Sequence, residues 1–168
     1  MKYLGIDNGL DGGLVLLDSD GAIQECLVMP TIDNPNGKGR LVDAVTLSGW
    51  FRDWSEFTNI HVVLEKAQAM PGQGVVSMFS IGLSYGVMQG VVAALQLPVT
   101  LVHPKTWQKV MFADMAKQDT KAASVMVAQR LWPGQCWLAT PKCKKPHDGL
   151  TDASLIAEWG RRTLGRPD

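Results

Sequence analysis

Apolar residues near the start of this chain fall in short runs broken by polar and glycine turns, and further on they recur at helical period. Three strands are read first, over Lys2–Asp7, Gly13–Asp18 and Ala22–Met29. Asn8-Gly9 and Asp20-Gly21 supply the turns, and Asp-Gly between apolar runs is a good hairpin signal. Pro30 to Arg40 reads as a polar, glycine-rich loop. From Leu41 to Trp54 the spacing of Leu41, Val45, Leu47, Trp50, Phe51 and Trp54 predicts a helix. Strands at Ile60–Glu65 and Val99–Val102 flank a long helical stretch. Pro104 then opens a helix through HPKTWQKVMF, at a position where its missing N–H costs nothing. Asp119 or Thr120 caps a helix running Lys121 to Leu131, and a proline- and lysine-bearing loop over Trp132–Pro146 leads into a last helix, HDGLTDASLIAEWG. Short strands alternating with helices after an initial meander predict a mixed sheet in an α/β fold.

The stretch Gly74–Leu97 carries no charged residue over 24 positions, which by length alone admits a transmembrane reading. Three serines and two glutamines interrupt it, Pro71, Gly72 and Gly74 precede it, and it lies between two strand patterns that need each other. We therefore read it as a buried helix of a protein that does not enter a membrane. Gly82, Gly86 and Gly90 recur every four residues and form one smooth stripe, which allows close approach to a sheet, another helix or a second copy of the chain.

Composition narrows the class. At 168 residues the chain is read as one domain, 1–168, with 46% hydrophobic and 19% charged residues, as in ordinary folded proteins. No signal-peptide pattern begins it, so a cytoplasmic setting in a bacterial or phage-infected cell is expected. Cys26, Cys136 and Cys143 do not form a disulfide framework, and Cys136, Cys143 and His147 make only a loosely spaced zinc set. The net charge of zero hides an asymmetry. Residues 1–60 hold 4 basic against 9 acidic side chains, whereas residues 103–146 hold 8 basic against 2 acidic. Such a split points to a side that faces nucleic acid, although solvated helix faces also carry lysines.

Four acids carry the chemistry. Asp7 ends one apolar run and Glu65 ends another, while Asp148 and Asp152 lie four apart and share a face of the last helix. A carboxylate at the end of a buried strand is costly unless a cation pairs with it. Mg2+ suits such a place because it takes a few carboxylate oxygens and keeps several waters. Read singly, Asp7 is also a turn former, Glu65 an ion-pair partner of Lys66, and Asp148 an N-cap. Their joint occurrence favours a divalent-metal nuclease that displaces at phosphorus in line.

The segments GIDNGLDGGLVLLD, VVLEKAQAMPGQGVVSMFSIGLSYGVMQGVVAALQLPVTLVHPKTWQK and HDGLTDASLIAEWG resemble the RuvC-type Holliday junction resolvases of the RNase H-like superfamily. The resemblance implies a mixed five-stranded sheet flanked by helices, a homodimer built largely on the apolar helix, and Mg2+- or Mn2+-dependent paired nicking of four-way DNA junctions. It maps Asp7 and Glu65 onto the acids of the first and fourth strands, and Asp148 and Asp152 onto the pair on the last helix. Lys121 matches a lysine near the scissile phosphate. On this reading two Mg2+ ions share Asp7: one, also held by Asp152 or Asp148, activates water, and the other, with Glu65, stabilises the leaving oxygen. Lys105, Lys109, Lys117, Lys142, Lys144 and Lys145 are the candidate DNA contacts, and the loop 132–146 is expected to order on DNA. Two departures are visible. GIDNG lacks the usual proline after the aspartate, and the last pair is spaced by four where the bacterial form has three, which leaves Asp148 the least secure ligand.

Other classes fit less well. GIDNGLDGG also resembles the phosphate-holding turn of sugar kinases and actin-like ATPases, but those need a second domain of similar size. A nuclease of the same fold acting on another branched DNA or on an RNA–DNA hybrid is the alternative. A non-catalytic junction binder would not need all four acids. The sequence names no helicase partner.

Overall fold

The computed structural model describes residues 1–35, 37–55, 59–68, 71–115 and 119–165. In chain order the elements are β1 (Lys2–Asp7), β2 (Gly13–Leu17), β3 (Ile23–Val28), β4 (Thr31–Asp33), β5 (Arg40–Val42), α1 (Ala44–Ser55), β6 (Ile60–Glu65), α2 (Val75–Ala94), β7 (Val99–Val102), α3 (Pro104–Met111), α4 (Thr120–Leu131) and α5 (Asp148–Leu164). The main sheet has five strands, as expected, and their order is β3-β2-β1-β6-β7. Strands β1 to β3 form an antiparallel meander, and β6 and β7 run parallel to β1. Ile6 pairs with Leu64 and Glu65 with Val102, so β1, β6 and β7 all end at one edge of the sheet. That edge is where parallel strands present ligand sites.

Helices cover both faces. On one, α1 and α2 bury Phe51, Met88 and Val92 against Leu4, Ile6, Leu14, Leu16, Val62 and Leu64. On the other, α5 crosses β1 and β2, and α3 and α4 pack over Val63, Val102, Leu155 and Ile156. The approach of α5 is unusually close because two positions lack a side chain. A methyl group at Gly5 would run into the Ala153 carbonyl, and one at Gly149 into the backbone of Asp11 and Gly12. Those contacts bring the first two turns of α5 over the end of β1.

The structure departs from the sequence reading in four places. Residues 30–40 are not all loop: β4 and β5 pair antiparallel, Thr31 with Val42 and Asp33 with Arg40. Leu41 and Val42 thus belong to a strand, and α1 starts at Ala44 because Asp43 caps it. The Asp43 carboxylate accepts the Val45 and Thr46 N–H groups at 3.1 Å and the Thr46 hydroxyl at 2.6 Å. The cap of α5 is His147, whose Nδ1 accepts the Leu150 N–H, and Asp148 is the first helical residue. The segment 132–146 packs on the core: Trp137 is buried against Ala128 and Leu150, and its carbonyl accepts the His147 N–H at 2.7 Å.

Helix α2 is the fourth. It is long and apolar enough to cross a membrane, yet Ser84, Met88 and Val92 alone are fully buried. Its glycine stripe faces away from the sheet, with nothing within 4 Å of a methyl group at Gly82, Gly86 or Gly90. Val75, Val76 and Phe79 are 78%, 84% and 71% exposed. The helix connects the neighbouring parallel strands β6 and β7, and Met88 and Val92 dock in the core that those strands build. Spanning a bilayer would require withdrawing them from it.

Candidate active site at the carboxyl ends of β1 and β6

Asp7 is the last residue of β1 and Glu65 the last of β6. The two strand ends are tied together by Asn8, a buried residue whose side-chain amide donates to the Glu65 carbonyl at 2.6 Å. Asp7 Oδ1 accepts the Gly9 N–H at 3.2 Å. Glu65 Oε1 accepts the indole N–H of buried Trp107 at 2.8 Å. Asp152, in the second turn of α5, is hydrogen-bonded to the buried Ser124 hydroxyl of α4. Asp148 forms an ion pair with Lys121, Nζ to Oδ2 at 3.0 Å, on the exposed rim.

The electrostatics show that these acids form one group. Burial pushes Glu65 up to about 7, and the charges of Asp7 and Asp152 add to the rise against the Trp107 hydrogen bond. Asp152 is likewise pushed up to about 7, by burial first and then by Asp7 and Asp148, while Ser124 and Lys121 oppose. Asp7 is raised by burial, with Asp11 and Asp148 adding, against the Gly9 N–H and His147. Among the described residues, however, no three His, Cys, Asp or Glu side chains converge tightly enough to hold an ion as they stand. The expected cradle is thus a set of mutually repelling carboxylates at one sheet edge, not a closed coordination shell. In chemistry the set fits a hard divalent cation: oxygen donors only, with a partly buried excess of negative charge that a cation would offset.

A pH dependence follows. Carboxyls raised in the folded state keep their protons to higher pH than the unfolded chain does, so the contribution of these groups to stability is greatest in acid. It falls as pH rises from about 4 towards 7, where the folded groups must ionise. Melting in EDTA should therefore fall by several degrees between pH 5 and pH 7.5, given about 2–4 °C per kcal/mol for a chain of this size. Added Mg2+ should restore the loss at pH 7.5 and do little at pH 5. A melting temperature independent of pH and Mg2+ would separate these acids from any cation.

The remaining candidates fall in two groups. Lys105 and Lys109 are exposed on α3, opposite the buried Trp107. Lys142, Lys144 and Lys145 are exposed in the segment leading to α5, and Lys117 lies outside the described residues. Of the loose zinc set, His147 caps α5, Cys143 Sγ contacts the Thr140 hydroxyl at 3.3 Å and Cys136 is exposed. Sequence reasoning did not assign Asn8, Trp107 or Ser124 to the site. Trp107 reaches the site through the fold: Glu65 pairs with Val102, and α3 starts two residues later, so its first turn returns over Glu65.

No protein-family profile and no curated protein sequence matches the chain. Solved structures do. RuvC from Thermus thermophilus superposes with a TM-score of 0.55 at 15% identity, over 98% of this chain and 97% of that one. The same protein in complex with a Holliday junction substrate gives 0.58 at 17%, over 96% and 95%. The yeast mitochondrial Holliday junction resolvase Ydc2 gives 0.54 at 16%, over 95% of this chain and 77% of its own. Over nearly its whole length, this chain has the RNase H-like fold of the RuvC-type Holliday junction resolvases.

Proposed function

We propose that this chain is a divalent-metal-dependent endonuclease that resolves four-way DNA junctions by paired symmetric nicks, in DNA recombination and repair in the cytoplasm. The observation that carries the reading is the coupled acid group Asp7, Glu65 and Asp152 at the carboxyl edge of a RuvC-type sheet. Asp7, Glu65 and Asp152, with Asp148 at the margin, would hold Mg2+ or Mn2+, which would supply an acidified water and charge neutralisation at phosphorus. Asp7 and Asp152 orient the attacking water, and Glu65 faces the leaving oxygen. Lys121, held beside the site by Asp148, transfers to a phosphoryl oxygen as charge builds there.

Two sites are needed for two nicks, and a C2 dimer supplies them. The exposed face of α2, with Val75, Phe79 and Leu83 around the glycine stripe, is the surface that a second copy would bury. An apolar face of that kind rarely stays bare on a soluble monomer.

Junction affinity tests the DNA side of the reading. The chain should prefer a four-way junction over linear duplex in metal-free buffer. Lys105→Ala with Lys109→Ala should weaken that binding and lower its salt slope by about one for each phosphate no longer neutralised. Equal affinity for junction and duplex would contradict the assignment, and an unchanged slope would place these two lysines in solvent.

A further inference from the structure

Among the acids at this site, Glu65 is the one fixed from two directions. Its backbone carbonyl is held by Asn8 from the end of β1, and its side chain by Trp107 from α3. The Trp107 ring has little freedom: the residue is 1% exposed, stands edge-on to Phe112 with centroids 5.6 Å apart, and packs in the cluster of Val63, Val102, Met111 and Leu155. An indole carries one N–H and no acceptor, so it can only donate. That donor meets Glu65 Oε1 across 42 residues of sequence. A glutamate side chain otherwise turns about three torsions, and a rigid donor at one oxygen removes most of that freedom.

Glu65 and Trp107 thus form a carboxylate and its orienting partner, the relation that commonly tunes metal ligands from behind. We infer that Trp107 is a positioning residue: its N–H holds Oε1 and leaves Oε2 as the oxygen that Glu65 offers to a divalent cation. This rests on the metal-nuclease reading above. The competing account is a core tryptophan whose N–H merely finds the nearest acceptor, with no effect on what Glu65 binds.

Mn2+ alone, without DNA, is the probe that separates them, with bound and free ion resolved by electron paramagnetic resonance. Trp107→Phe removes the donor and keeps an aromatic ring. Replacing the Trp107 side chain by benzothienylalanine, which puts sulfur in place of N–H at nearly the same shape, covers the case in which the smaller ring unsettles the core. Both variants should bind Mn2+ about 10–100-fold more weakly, the range for losing such a partner. In a Glu65→Gln background, Trp107→Phe should cause no further loss, because its effect runs through that carboxylate. Unchanged Mn2+ affinity in the folded benzothienyl variant would overturn the inference. So would an equal loss in the presence and absence of Glu65. If Glu65→Gln itself binds Mn2+ as well as the native chain does, the metal reading fails at Glu65 independently of Trp107.

Discussion

Asp7→Asn should lower junction cleavage by about 10^3-fold or more, since even one missing transition-state donor typically removes about 10²–10³. Junction binding should stay intact or tighten. The substitution keeps the shape and the hydrogen bond from Gly9, so the fold has no reason to change. What it removes is the charge that both Glu65 and Asp152 feel, at the end of the strand they face. A cation would lose a shared ligand, and an approaching phosphate would lose one repulsive neighbour. Glu65→Gln and Asp152→Asn should behave alike. Asp148→Asn should be milder, because that residue already spends its charge on Lys121 at the rim. Gel-resolved cleavage in Mg2+ buffer, beside junction binding in EDTA, measures both halves. Undiminished cleavage by Asp7→Asn would remove the acid group from the mechanism.

The second large effect concerns α2. Gly86→Leu should leave the fold intact, since a side chain there meets open space in the single chain. Gly5 is the contrast, as any side chain at that position strikes the backbone of α5. In a dimer built on the outward face of α2, leucine at position 86 would hold the two helices apart and forfeit their close packing. Sedimentation should then shift from dimer to monomer while the far-ultraviolet spectrum and melting temperature stay near native. A native chain that sediments as a monomer at micromolar concentration would leave this face without the proposed partner.

Much of the frame is legible in the sequence because burial and turn chemistry coincide. Leu4, Ile6, Val62 and Leu64 are buried on one face of the sheet and Val63 on the other, so strands covered on both faces read as unbroken apolar runs, and Asn8-Gly9 ends the first run where the chain must turn. The acids are visible for the same reason: Asp7 and Glu65 are charges at the ends of apolar runs, and Asp152 interrupts a buried helix. The short hairpin of β4 and β5 escaped because three-residue strands leave too little alternation to read, and Pro, Asn and Gly between them look like loop. The start of α1 moved because the Asp43 cap overrides the apolar period that begins at Leu41. Asn8, Trp107 and Ser124 escaped because their roles exist only after strands and helices far apart in sequence meet. The exposure of α2 was hidden in a third way: an apolar helix reads alike whether its cover is the same chain or another.

Strand-resolved cleavage mapping of a synthetic four-way junction, with each strand labelled in turn and linear duplex and RNA–DNA hybrid alongside, tests the central claim most directly. The account predicts nicks at symmetric positions in two strands of like polarity within one binding event, Mg2+ or Mn2+ dependence, and little cutting of either linear control. Gly86→Leu should turn those paired nicks into uncoupled single ones. Equal cutting of the hybrid or the linear duplex, or nicks that stay single and asymmetric in the native chain, would contradict it.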